Sequence, residues 1–220
     1  MKMYKTIFFG DSFTNCSGLS QLDTWPTMVH SMLNQQFEGR VNLQFEISVA
    51  SQENTRGALE RLQRDILFAN PDILTVQYGT NDSTHLLSNK GAPLVSQDAF
   101  RFNLLELIDK CRLFDIHRLV FITNHPVALD RYDINGLTPD QNTQLYDEIV
   151  REVASTSACH LADVRKAMAN YNPNQLCLND KIHVNTIGAK VYAETIAPVI
   201  ATVLEDLISA ENHELTESFK

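Results

Sequence analysis

Positive charge is scarce in this chain: 18 Lys and Arg stand against 27 Asp and Glu in 220 residues, a formal net charge of −9. A surface of that sign repels a phosphate backbone and anionic lipid, so sequence-independent nucleic-acid binding and docking on acidic membranes are not expected. Cysteine is scarce as well. Cys16, Cys111, Cys159 and Cys177 lie far apart with no C-x-x-C pair, which is neither a zinc spacing nor the density of a secreted disulfide scaffold. The thiols read as packing residues in a reducing compartment. His30, His85, His117, His160 and His213 lack ligand-like spacing, so neither a metal nor an organic cofactor is expected. No apolar run approaches transmembrane length, and the run near Met1–Asp11 is too short for a signal peptide. The expectation is a cytoplasmic protein without membrane insertion.

What is present is ordinary globular material, 44% hydrophobic and 20% charged. At about 150 residues per domain the length suits one large domain. Burial of about 70% of the chain's surface then gives a core without staples. The reading is a single domain over residues 1–210, followed by a polar tail over 211–220.

Short apolar runs alternate with amphipathic stretches. Thr6–Phe9 reads as a buried strand and Trp25–Phe37 as a helix capped by Thr24. Leu43, Phe45, Ile47 and Val49 alternate with polar residues, the period of a strand with one wet face at a sheet edge. A helix follows from Thr55 to about Ala69, then strand Ile73–Tyr78, then a helix capped by Ser96. Leu119–Thr123 is the fourth strand, Thr138-Pro139-Asp140 opens the fourth helix, and Cys159–Val164 is a weaker fifth strand. The last helix starts near Thr186 and runs past Leu207, with a kink expected at Pro198. Five β-α units in succession predict an α/β fold of three layers, α/β/α, with a parallel five-stranded sheet in the order 2-1-3-4-5. In such sheets ligands bind beyond the carboxyl ends of the strands.

Those ends carry Gly10-Asp11-Ser12-Phe13, Ala50-Ser51-Gln52-Glu53-Asn54-Thr55, Gly79-Thr80-Asn81-Asp82 and, after a loop of about twenty residues, Asp180-Lys181-Ile182-His183. Each alone is common turn chemistry. Together, in this order, they resemble the blocks of the SGNH branch of the GDSL esterases and lipases, as Gly10-Asp11-Ser12, Gly79-Thr80-Asn81-Asp82, and Asp180-x-x-His183 followed by Val184-Asn185 and Gly188. The resemblance spans nearly the whole chain. It implies a flavodoxin-like hydrolase fold with Ser12 as nucleophile, His183 as base and Asp180 orienting it. It also implies an oxyanion hole from the Ser12 and Gln52 backbone amides and the Asn81 side chain.

Elementary chemistry fits those roles. A serine hydroxyl needs a base to take its proton, and neutral imidazole serves near pH 7. The imidazolium then needs a carboxylate, and the oxyanion needs preorganised donors. Asp11 and Gly79 read as supporting residues, Asp11 by accepting backbone hydrogen bonds in the nucleophile turn. Asp82 reads as an Asx-turn residue, and His125, after strand four, as a residue of the pocket rim or of a turn. The sequence departs from the family pattern at Gln52 and Lys181, where glycine is usual, and at Phe13, where leucine is usual. The expected partner is a small soluble ester or thioester, and the helix periodicity carries no mark of oligomeric state. A non-catalytic small-molecule binder using the same crevice stays open because of Gln52. A nucleotide or flavin domain is disfavoured, since no G-x-G-x-x-G or P-loop follows the first strand.

Overall fold

The computed structural model describes residues 1–218, with side chains described through Glu211. The polar tail expected over 211–220 therefore lies, past Glu211, outside the described residues. Strands β1 (Met3–Gly10), β2 (Asn42–Val49), β3 (Ile73–Gln77), β4 (Leu119–Ile122) and β5 (His160–Ala162) form one parallel sheet in the order β2-β1-β3-β4-β5. β1 is longer than its apolar run because pairing with β2 extends it back to Met3, opposite Asn42. Its side chains divide by parity: Phe8 faces one core cluster, Ile7 and Phe9 the other.

On the Phe8 side lie α1 (Trp25–Gln36) and α7 (Thr186–Ser218), meeting through Trp25, Val29 and Leu33 and through Tyr192, Ile196, Ile200 and Leu204. The Trp25 ring stands edge-on to Phe8 at 5.2 Å and stacks on Tyr192 at 5.7 Å. On the opposite side lie α2 (Thr55–Leu62), α3 (Gln97–Leu113) and α4 (Pro139–Thr156). Capping residues fix where these helices begin. Asn54 accepts from the Arg56 and Gly57 N–H groups, Ser96 from Ala99, and Thr138 forms a reciprocal box with Gln141 ahead of Pro139. Each such cap contributes about 1 kcal/mol. Thr24 precedes α1 without capping it, since its hydroxyl donates to the Gln21 carbonyl instead.

Beyond the Thr24 cap, four more sequence expectations need correction. The helix expected through Ala69 ends at Leu62 and passes into a wider π turn, Gln63–Leu67, in which the Phe68 N–H reaches back to the Gln63 carbonyl. Ile47 on edge strand β2 is 41% exposed although its period points inward, whereas Phe45 is covered by Phe8 and His30. The long loop after β5 contains two short helices, α5 (Val164–Ala167) and α6 (Pro173–Leu176). Finally, Thr186–Glu211 is a helix long and apolar enough to cross a membrane by length and composition. Its apolar residues are spent on the core beneath β1 and α1, and α7 runs on through Pro198.

Candidate active site

All four sequence blocks meet at the carboxyl edge of the sheet. β1 ends at Gly10, which must be glycine: a Cβ there would collide with the Thr14 side chain and lie 2.9 Å from the Gln77 carbonyl. The chain then turns tightly, the Phe13 N–H donating to Asp11 Oδ1 (2.8 Å) and the Ser17 N–H to the Ser12 carbonyl (3.0 Å). The turn presents Ser12 at the surface of the crevice. Across from it, the segment Leu178–Asn185 folds back on itself through the Leu178 N–H to the His183 carbonyl at 2.7 Å. Asn185 caps α7 directly behind, accepting from Ile187 and Gly188.

The result places Ser12 Oγ 3.0 Å from His183 Nε2, and His183 Nδ1 2.7 Å from Asp180 Oδ2. A carboxylate only accepts, so Nδ1 carries the imidazole proton and Nε2 is free to accept from the serine hydroxyl. The second oxygen of Asp180 takes the Ile182 and His183 N–H groups at 2.9 and 3.0 Å, tying the turn to the carboxylate. Partial burial pushes the Asp180 carboxyl up, but the imidazole and those two amides outweigh it and hold it below the usual carboxylate range.

Asn81 follows β3 through Gly79, whose φ of +128° is glycine territory and whose absent side chain makes room for Asn124 and Tyr146. Its Nδ2 donates to Asp11 Oδ2 (2.7 Å) and to the Glu53 carbonyl (3.0 Å). One amide thus touches the neighbour of Ser12 and the neighbour of Gln52. Among the described residues the Ser12 and Gln52 N–H groups donate to no protein acceptor.

Residues 8–191 match the GDSL-like Lipase/Acylhydrolase family. The chain belongs to that family, and with it to the carboxylic ester hydrolases. It is 26% identical over 170 residues to the uncharacterized lipoprotein YqeF of Bacillus subtilis (strain 168), covering 71% of this chain and 69% of that one. Among solved structures it resembles LAE5, an alpha/beta hydrolase enzyme from the metagenome of Lake Arreo, Spain. The TM-score is 0.75 at 22% identity, over 91% of this chain and 96% of that one. It also resembles the acetylxylan esterase Axe2 of Geobacillus stearothermophilus, with a TM-score of 0.73 at 18% identity over 90% and 94%. At these identities the two structures speak to the fold.

Both of this chain's departures from the GDSL glycines fall on left-handed backbone. Gln52 has φ +60° and Lys181 φ +63°. Such backbone suits glycine, and here two longer residues adopt it at about 1–2 kcal/mol each. Lys181 is pinned by its N–H to the Leu178 carbonyl (2.9 Å) and by the Ala128 N–H to its own carbonyl (2.8 Å).

His125 is not on the rim. It is fully buried, with Nε2 2.7 Å from the Ile182 carbonyl and Nδ1 2.9 Å from the Tyr192 hydroxyl. A carbonyl cannot donate, so Nε2 carries the proton and Tyr192 donates to Nδ1. Tyr192 in turn accepts from Gln77, which accepts from Thr14, a buried chain running beneath the site from the nucleophile turn to the residue before His183. Desolvation pushes His125 down to about 3, against the pull of the Ile182 carbonyl, so it stays neutral. Asp82 also differs from the local turn role expected of it. It is buried and takes both the N–H and the hydroxyl of Thr55, fixing the start of α2.

Asp11 is buried with its two hydrogen bonds, and desolvation pushes it up to about 7. The Phe13 amide and Asn81 oppose that, while Asp82 and Glu53 add to it. The folded carboxyl holds its proton more tightly than the unfolded one, at about 3.8. Its stabilising contribution is thus complete below about pH 4 and lost as the pH rises to 7. Asp11→Asn should gain on wild type by roughly 2–3 kcal/mol of unfolding free energy between pH 5 and pH 8. Urea denaturation at both pH values checks this, and a constant difference would refute it.

Proposed function

We propose that this family member is a serine esterase acting on the ester or thioester carbonyl of small soluble substrates through an acyl-enzyme. The observation that carries the reading is the run Ser12 Oγ, His183 Nε2, His183 Nδ1, Asp180 Oδ2, closed by bonds of 3.0 and 2.7 Å from residues 171 positions apart. Ser12 Oγ attacks the carbonyl carbon as its proton passes to His183. Asp180 stabilises the imidazolium. The oxyanion lies against the Ser12 and Gln52 N–H groups and Asn81 Nδ2. Asn81 gives up its longer bond, to the neutral Glu53 carbonyl, because the developing oxyanion is the stronger acceptor. Collapse expels the alcohol or thiol, which takes the proton from His183, and water then cleaves the acyl-enzyme by the same steps.

A short acyl group is supported by the cleft of about 190 Å³ beside Asn81 and Ile182, lined by Ser83, Val127, Leu129 and Thr143. That is below the roughly 300–1,000 Å³ that hold drug-sized ligands. Four unpaired thiols support action in the cytoplasm, which cell fractionation checks.

The test compares p-nitrophenyl acetate, butyrate and octanoate, together with a serine-directed fluorophosphonate followed by mass spectrometry. Turnover falling from butyrate to octanoate, and one equivalent of adduct mapped to Ser12, are expected. A folded protein that neither turns over the acetate nor takes the label would sink the reading.

A further inference from the structure

Resting on that reading, we propose that Arg61 is a positioning residue for the oxyanion hole, holding through Glu53 and Tyr78 the three loops that carry its donors. Arg61 is on α2, yet its side chain is only 9% exposed and that of Glu53 only 10%. Its Nε lies 2.9 and 2.8 Å from the two Glu53 carboxylate oxygens. One terminal nitrogen donates to the Gly10 carbonyl (3.1 Å), the Ser48 carbonyl (3.2 Å) and the Tyr78 hydroxyl (2.9 Å). The other reaches Ser48 Oγ (2.5 Å) and Asp65 (3.1 Å). The guanidinium lies over the Phe9 ring at 4.2 Å, and the Tyr78 hydroxyl donates to Glu53 at 2.7 Å.

The placement of these contacts is what matters. Gly10 ends β1 two residues before Ser12, Ser48 is next to the end of β2 four residues before Gln52, and Tyr78 follows β3 three residues before Asn81. One planar cation thus ties the end of every strand that delivers an oxyanion donor. It also clamps Glu53, the residue that follows left-handed Gln52 and whose carbonyl accepts from Asn81. Preorganised donors stabilise a transition state only to the extent that they are held in place. A fork of five N–H groups suits this task, and a lysine ammonium does not.

The experiment uses Arg61→Lys, Glu53→Gln and the mild Tyr78→Phe, with Arg151→Lys, on α4 in a half-buried ion pair with Asp163, as the control for loss of an arginine–carboxylate contact elsewhere. All are assayed well below their melting temperatures. The expected result is kcat on p-nitrophenyl acetate lower by about 100-fold, 10- to 30-fold and 3- to 5-fold respectively, with KM within threefold of wild type and Arg151→Lys unchanged. The fluorophosphonate inactivation rate, whose tetrahedral adduct needs the same donors, should fall in parallel. If Arg61→Lys does not fold, Glu53→Gln and Tyr78→Phe carry the test. Normal kcat and labelling in folded Glu53→Gln and Tyr78→Phe, or a rise in KM alone, would overturn the proposal while leaving the serine mechanism standing. Absence of label on wild type overturns both.

Discussion

Ser12→Ala is expected to keep the fold and lose turnover of p-nitrophenyl acetate by roughly 10⁴- to 10⁶-fold, the range that removal of a nucleophile costs where nucleophile and base act as a unit. The fold should survive because Ser12 sits at the crevice surface and, among the described residues, its hydroxyl hydrogen-bonds only to His183. The turn around it is held by Asp11, Phe13 and Ser17 backbone contacts that alanine leaves intact. Activity should not fall to the uncatalysed rate, because the donors and the cleft still bind the carbonyl. Initial rates at equal protein, with far-ultraviolet circular dichroism to certify the fold, decide the matter. More than a tenth of wild-type kcat in folded Ser12→Ala would mean that the bond is broken by another group.

The edge of the sheet was legible because a parallel sheet leaves little freedom there. Each strand must stop where its apolar run stops, and all carboxyl ends face one way, so Ser12, Gln52, Asn81 and the Asp180–His183 turn were bound to be neighbours. The sheet order followed from the alternation of Leu43 to Val49. Other features depended on partners that periodicity does not encode. Arg61 lies beside the stripe of Ala58, Leu62 and Ile66, where an arginine ordinarily lays its stem on apolar surface and keeps its head in water. Its burial depends on partners at the ends of three strands at once. His125 shared the active edge with the rim residues, yet what makes it a strut rather than a lining is burial behind Phe13, whose ring stands 4.3 Å away. The signs of φ at Gln52 and Lys181 were hidden because a sequence shows that glycine is absent, not that its conformation persists.

Asp180→Asn should separate the carboxylate's charge from its role in shaping the loop. The asparagine oxygen can still accept from the Ile182 and His183 amides, so the turn survives. Its NH₂ then faces His183 Nδ1 as a donor and forces that nitrogen to accept. The imidazole proton moves to Nε2, the atom that must take the proton of Ser12, and the base is blocked. Such a tautomer error costs about 10⁴-fold where the carboxylate is buried. Here the Asp180 side chain is 44% exposed, so water competes for Nδ1 and the expected loss is smaller, about 10²- to 10³-fold in kcat with KM unchanged. Because His183 and two backbone amides hold the Asp180 carboxyl below its usual range, against its partial burial, it stays ionised from pH 5 to 9. The wild-type profile should therefore show no limb of its own from Asp180 in that window. A variant keeping more than a third of wild-type kcat would mean that the His125–Ile182 strut orients His183 without the carboxylate. That outcome would shift the orienting role from the exposed acid to the buried histidine beneath it.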